Sequence, residues 1–265
     1  VTSIGSFNRD WWRLKKHAQG DTKVENISAA YACMALQGPL SRQLLETIAD
    51  TDVSSDSFPF GIGRHATIGG IQCWLQRISY VGELGWEIMV PTNNAEKLYK
   101  TLYQAGKAFS LQNVGLHAVN SLRLEKGFRH WGHDIGSHDN LLEAGLNFVA
   151  DMTSGDFIGH QALITQRNNG LPERRLVQFR LENPDPLLYH NEPIVMNGEI
   201  VGYLTSGAFG HAVERSIGMG YVNVPLLSNE IIGAADFEIE IALERFSAQA
   251  SLKGWYDPKG LRMRR

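Results

Sequence analysis

The chain has 265 residues, 43% of them hydrophobic and 20% charged, with a formal net charge of -3 at pH 7. That is enough apolar material for one large or two modest domains, and the charge offers no bulk attraction to nucleic acid or to an anionic membrane surface. No apolar span approaches membrane length and no signal-peptide pattern opens the chain; Cys33 and Cys73, each in an apolar run, are expected to be reduced core thiols, with a bridge between them left open.

The chain starts without methionine on VTSIGSFNRDWW, which has the texture of a strand entered at once, as in a processed or trimmed chain. Asn8 or Asp10 is then expected to cap a helix reaching about Ala18. Tyr31 to Leu36 is a compact apolar run, and Gly38-Pro39 restarts the chain into a helix on which Leu40, Leu44, Leu45 and Ile48 recur at helical spacing. Gly61 to Gly70 is loop or hairpin sequence.

The stretch SYVGELGWEIMV, Ser79 to Val90, carries the densest chemistry. Alternation on both sides of Gly82 and Gly85 predicts two strand pieces joined by a tight turn or bulge. If Ile88 and Val90 face a core, Glu87 faces away from it. There it is either a solvated strand glutamate or a pocket carboxylate able to accept two parallel N–H bonds from a flat heterocycle.

Pro91 ends that strand, and Asn93 with Glu96 resembles a capping pair for a helix with Ala95, Leu98, Tyr99, Leu102 and Ala105 on one face. A second helix, Leu116 to about Phe128, carries Arg123 between leucines. The spacing allows a salt-bridged strut or an anion and carbonyl clamp. Arg129 to Ile135 and Ser137 to Asp139 crowd histidines and aspartates together, but in a glycine-interrupted loop without ligand spacing, so no metal site is assigned. From Gly170 onward short alternating runs are punctuated by Asn-Gly, Pro and Gly, which predicts a small antiparallel barrel or sandwich with a hairpin at Met196-Asn-Gly-Glu199. Thr205-Ser206-Gly207 is expected to be a turn between strands. Gly61-Ile-Gly63 lacks the context of a dinucleotide loop, and neither a phosphate-binding P-loop nor a serine-nucleophile elbow is present.

Tyr80-Val-Gly-Glu-Leu-Gly-Trp-Glu87-Ile resembles the Y-x-G-E-x-G-x-E segment of the folate-binding aminomethyltransferase superfamily, which includes the glycine-cleavage T-protein. The ordered blocks MALQGP (34–39), SLRLEKGFRHWGHDI (121–135), LLEAGL (141–146), DFIGHQAL (156–163), TSGAFGHAVERSIGMGYV (205–222) and YDPKGLRMR (256–264) resemble it too. KGFRHWGHDI and the DPKG-x-R ending are most similar to the C-terminal folate half of dimethylglycine and sarcosine dehydrogenases.

The resemblance implies an α+β fold: the C-terminal part of an aminomethyltransferase folate-binding domain, a mixed sheet with helices, over residues 1–168, then a small antiparallel β-barrel domain over 169–265. It implies tetrahydrofolate as cofactor, bound through Glu87 and Tyr80, with Arg123 helping to hold it and Trp131 lining the same region. The implied reaction passes a one-carbon unit from a small amine-derived donor, glycine or a methylated glycine, to give 5,10-methylenetetrahydrofolate. The family's principal aspartate matches no residue here and falls before Val1, so no catalytic residue is assigned and the chain alone is expected not to turn over. FAD is expected only in a flavin dehydrogenase domain upstream. A non-catalytic folate-binding regulatory or repair module is the alternative. The implied compartment is the cytoplasm, or the mitochondrial matrix in a eukaryote.

Overall fold

The computed structural model describes residues 2–265; Val1, first residue of the expected opening strand, lies outside them. Contacts group the chain into two compact units, Val1–Gly115 with Lys259–Arg265, and Leu116–Pro258. The boundary expected at 168/169 falls inside the second unit, in the connection that follows its second helix.

The helix expected to reach about Ala18 is present but begins earlier, and no strand precedes it among the described residues. After a turn at residues 4–6 comes α1 (Phe7–His17), with Ser6 at its N-cap position making no side-chain cap bond, so Asn8 and Asp10 sit inside the helix. Four-residue spacing decides this: Phe7 stacks on Trp11 with centroids 6.1 Å apart, and Lys15 lies 4.5 Å from the Trp11 ring centre. Such pairs meet on one helix face, whereas on a strand they would lie about 13 Å apart along one face.

Then follow β1 (Tyr31–Gln37), α2 (Ser41–Glu46), β2 (Gly63–Ile68), β3 (Ile71–Gln76), β4 (Gly85–Pro91) and α3 (Ala95–Gly106). The strands form one sheet in the order β1-β4-β3-β2. Every ladder in it is antiparallel, so the sheet described here is not mixed in strand direction. The Gly61 to Gly70 stretch resolves into the β2–β3 hairpin. Its turn needs left-handed backbone at Gly69, where an added Cβ would lie 2.5 Å from Thr101 of α3, so glycine lets the helix close over the turn. The expected tight turn before Glu87 is a longer excursion, the loop 77–84.

One sheet face packs on α2 and α3. Leu36, Ile68, Leu75, Trp86, Ile88 and Val90 meet Leu44, Leu45, Leu98 and Leu102 in a core in which Trp86 is fully buried, edge-on to Phe58 at 6.3 Å. Burying one large apolar side chain of this kind contributes about 1.5–3 kcal/mol. α3 is preceded by a 3-10 turn at Thr92–Asn94, and its cap Asn94 makes no side-chain bond. The Asn93 and Glu96 capping pair therefore does not form; Glu96 pairs with Lys100 one turn on. Tyr99 is off the apolar face and stacks on Tyr103.

The second unit opens with α4 (Leu116–Glu125) and α5 (His160–Asn168). A closed barrel follows, made of β5 (Arg175–Leu181), β6 (Pro193–Met196), β7 (Glu199–Gly210), β8 (Arg215–Val222), β9 (Phe237–Ile241) and β10 (Glu244–Ser251), with α6 (Asn229–Ala234) before β9. All its ladders are antiparallel, in the order β10-β5-β8-β7-β6-β9. Asn197 and Gly198 both have positive φ and close the β6–β7 hairpin, as the Asn-Gly pair predicts. Closure leaves no open sheet edge and buries Val177, Phe179, Leu204, Val222, Phe237 and Ile239 within. Thr205 to Gly207 is not a turn. It lies inside β7, at a register shift between Leu204 and Ser206.

Candidate functional site

The four residues singled out by sequence fall two in each unit: Tyr80 and Glu87 in the first, Arg123 and Trp131 in the second.

Glu87 sits where the alternation of β4 puts it. Trp86, Ile88 and Val90 are wholly buried on the core side, while Glu87 and Met89 point to the opposite face and are half-buried. Its cross-strand neighbours are Ala35 and Gln76, and Cys33 lies one pair further along beside Met89. Among the described residues nothing donates a hydrogen bond to its carboxylate. A carboxylate that is partly withdrawn from water and left without a protein donor is available to a ligand. Cys33 on this face is exposed, not a core thiol, and Cys73 lies on the buried face two strands away, so the possible bridge does not exist.

Tyr80 projects from the loop 77–84 and is 38% exposed. The loop is held at both ends. Arg77, fully buried at its start, donates to the carbonyls of Phe58 (2.6 Å) and Arg265, and Arg42 also donates to Arg265 O at 2.7 Å. Near its end Glu83 lies 3.8 Å from Arg262 of the short terminal helix Leu261–Arg264. Residues distant in sequence thus set the path of the segment bearing Tyr80.

Arg123 is the strut that its leucine flanks allow. Its Nε and Nη2 donate to Asn120 Oδ1 (2.9 and 2.7 Å), Nη2 also to Ser206 Oγ (2.7 Å), and Nη1 to Phe128 O (3.0 Å) and Asp134 Oδ2 (2.5 Å). A guanidinium has five N–H donors, and here all five are committed inside the protein, on a residue only 1% exposed. The expected direct hold on a cofactor would require one of these bonds to break.

Trp131 lies at the tip of the loop after α4 and is 37% exposed. Asp134, which the sequence did not single out, is wholly buried behind it. Its Oδ1 accepts from Thr205 Oγ1 (2.6 Å), and its Oδ2 accepts from the His130 backbone N–H (2.8 Å) besides Arg123. The His130 and His133 rings lie 4.6 Å apart; burial, then the neighbouring His133 and Arg123, hold His130 below the ordinary histidine pKa. Two further buried charges at the end of α4 and just past it are matched: Glu125 accepts from the Ala212 and Val213 N–H groups, and Lys126 pairs with Asp257 at 2.6 Å. Among the described residues no group of three or more His, Cys, Asp or Glu is placed to hold a metal ion, and no helix is long and apolar enough to cross a membrane. Two open grooves, of about 810 Å³ along α3 and about 710 Å³ at one end of the barrel, include none of the four residues.

Two family models match the chain: the GCVT N-terminal domain over residues 1–154, and the glycine cleavage T-protein C-terminal barrel domain over 174–257. The chain is 38% identical over 253 residues to the 4-methylaminobutanoate oxidase (formaldehyde-forming) of Paenarthrobacter nicotinovorans, covering 95% of this chain and 30% of that protein. It is 37% identical to human mitochondrial sarcosine dehydrogenase, covering 87% and 25%, and 35% identical to an aminomethyltransferase of Halothermothrix orenii, covering 84% and 61%. The chain therefore spans a quarter to a third of the oxidase and dehydrogenase relatives and about three-fifths of the aminomethyltransferase. A solved aminomethyltransferase T of the glycine cleavage system from Bartonella henselae shares the fold, with a TM-score of 0.81 at 24% identity, over 97% of this chain and 68% of that one.

Proposed function

Because the chain belongs to the glycine cleavage T-protein family, we propose that it supplies the cofactor-binding wall of a tetrahydrofolate-dependent one-carbon transferase. The observation that carries this is Glu87: a half-buried carboxylate facing away from the core, with no donor of its own among the described residues. The flat pterin of tetrahydrofolate presents adjacent N–H donors, so a carboxylate is its natural partner, and the part-exposed rings of Tyr80 and Trp131 suit its faces. When bound, tetrahydrofolate supplies nitrogens that take up a carbon unit at the oxidation level of formaldehyde.

In this reading Glu87 orients the ring by accepting its edge donors. Tyr80, in the same unit, covers it and excludes water, which strengthens the remaining polar contacts, and Trp131 offers an aromatic face of the same kind on the second unit. Arg123 holds the protein rather than the ligand. The donor is a small amine, glycine or a methylated glycine, and the product 5,10-methylenetetrahydrofolate. A flavin dehydrogenase domain upstream would generate the electrophile, as the oxidase and dehydrogenase names of the relatives suggest. We keep the domain division at 168/169 as part of this proposal; limited proteolysis favouring 168–172 supports it, and preferred cleavage within 236–252 overturns it.

Calorimetry with tetrahydrofolate tests the reading. Glu87→Gln is expected to weaken binding by about 1.5–3 kcal/mol, the usual range for a lost charge-assisted hydrogen bond. An unchanged dissociation constant would make Glu87 an ordinary solvated strand residue.

A further inference from the structure

We propose that Asp134 is a positioning residue that fixes Trp131 as an aromatic surface for the ring, and that Arg123 acts on the ligand through Asp134 instead of touching it. The inference rests on the tetrahydrofolate reading above for its ligand, but its geometry stands on bonds within the second unit alone.

Trp131 is bracketed by backbone that Asp134 controls. On one side, Asp134 grips His130 twice: its own N–H donates to His130 O at 2.9 Å, and its Oδ2 accepts from His130 N–H at 2.8 Å. On the other, Gly132 N–H donates to Ile135 O at 2.8 Å, and Trp131 and Ile135 form an isolated bridge. The indole therefore leaves the chain from a closed loop whose centre is the carboxylate.

That carboxylate is in turn fixed to two regular elements. Arg123 on α4 donates to Oδ2 at 2.5 Å, and Thr205 on β7 donates to Oδ1 at 2.6 Å. The irregularity in β7 explains how a strand reaches it: the register shift between Leu204 and Ser206 lets Thr205 meet Asp134 while the next residue, Ser206, accepts from Arg123. Removing either partner from a fully buried ion pair leaves the other charge without its counter-charge. The loop is thus held in one position, and the exposed ring at its tip is held with it. Side chains kept in place by packed, hydrogen-bonded neighbours present a binding surface at little entropic cost.

The experiment uses the full chain labelled with 5-fluorotryptophan, with the Trp131 resonance assigned through Trp131→Phe. Asp134→Asn and the milder Thr205→Val should each shift or broaden that resonance in ligand-free protein. Tetrahydrofolate affinity should fall about tenfold in the first and by a smaller factor in the second, the loss of one or more buried hydrogen bonds. Arg174→Met is the control for general loosening: it removes the guanidinium from Asp139 (2.6 Å) and Glu143 (3.0 Å) in the segment that follows. It should lower the unfolding temperature and leave both the Trp131 resonance and the affinity in place. An unmoved Trp131 resonance in folded Asp134→Asn overturns the proposal, as does equal movement in Arg174→Met; if Asp134→Asn does not fold, Thr205→Val decides. Failure of the unsubstituted chain to bind tetrahydrofolate removes the ligand half and the reading beneath it. That failure is distinguishable, because the ligand-free resonance is measured without it.

Discussion

Glu87 on the sheet of the first unit and Asp134 in the loop after α4 of the second are both carboxylates, and they are built for opposite ends. Asp134 is wholly buried and accepts from a guanidinium, a hydroxyl and a backbone N–H. Glu87 is half-buried on an open sheet face and accepts from nothing among the described residues. The first is satisfied by its own chain and so belongs to the framework; the second is left for something else. A buried polar group costs free energy until it is paired, so what pairs it says what it is for.

The largest expected effect lies on the Asp134 side. Arg123→Met or Asp134→Leu alone should lower unfolding stability by about 3–5 kcal/mol, because each strands its buried partner. Combining Arg123→Met with Asp134→Leu should cost clearly less than the sum of the single changes, since no charge is then left unpaired. Denaturant melts of the four proteins form the cycle. Strict additivity would mean that the two residues act separately, and the contrast with Glu87 would lose its basis.

The comparison also shows which parts of the molecule the sequence discloses. The parity of β4 was legible because alternation is a local property: once Ile88 and Val90 are assigned inward, Glu87 must face outward. The Met196 to Glu199 hairpin was legible for the same reason, since Asn-Gly encodes its own turn. Asp134 was not, because its partners are at 123 and 205, and their meeting depends on an irregularity in β7 whose Thr-Ser-Gly residues look like a turn. The opening helix was legible close to its end, but its start was not: Asn8 and Asp10 look like caps, whereas the stacking of Phe7 on Trp11 belongs to a helix that begins at Phe7. Arg123 offered one usable signal: a cation between leucines on a helix calls for a buried anion, and the only acidic residue of the 129–135 loop is Asp134.

On the Glu87 side the effects reverse. Glu87→Gln should leave the unfolding temperature almost unchanged, within about 0.5 kcal/mol of stability, because the carboxylate accepts no hydrogen bond from the described residues. Its cost should appear in tetrahydrofolate affinity instead. A large loss of stability would mean that Glu87 holds the sheet together, and the two carboxylates would then no longer differ in kind.

The smallest effect concerns Cys33, which shares the open face with Glu87. Burial, and then the negative charge of Glu87, push its thiol above the ordinary pKa, so the reactive thiolate is scarce at neutral pH. Cys73 on the core face is pushed by burial to about 11 and is 3% exposed. Its proton is held more tightly in the folded chain than in the unfolded one. The associated stability is complete below the unfolded thiol pKa and is lost as pH rises towards about 11. Alkylation of the native protein near neutral pH should therefore consume one thiol, Cys33, and reach Cys73 only on unfolding. Glu87→Gln removes the neighbouring charge, lowers the Cys33 pKa and should accelerate alkylation modestly at fixed pH, since burial remains the larger cause. Tetrahydrofolate bound against Glu87 should slow the same reaction by covering the face. If the substitution leaves the rate unchanged and saturating tetrahydrofolate does not protect Cys33, the face bearing Glu87 is not where the ring binds.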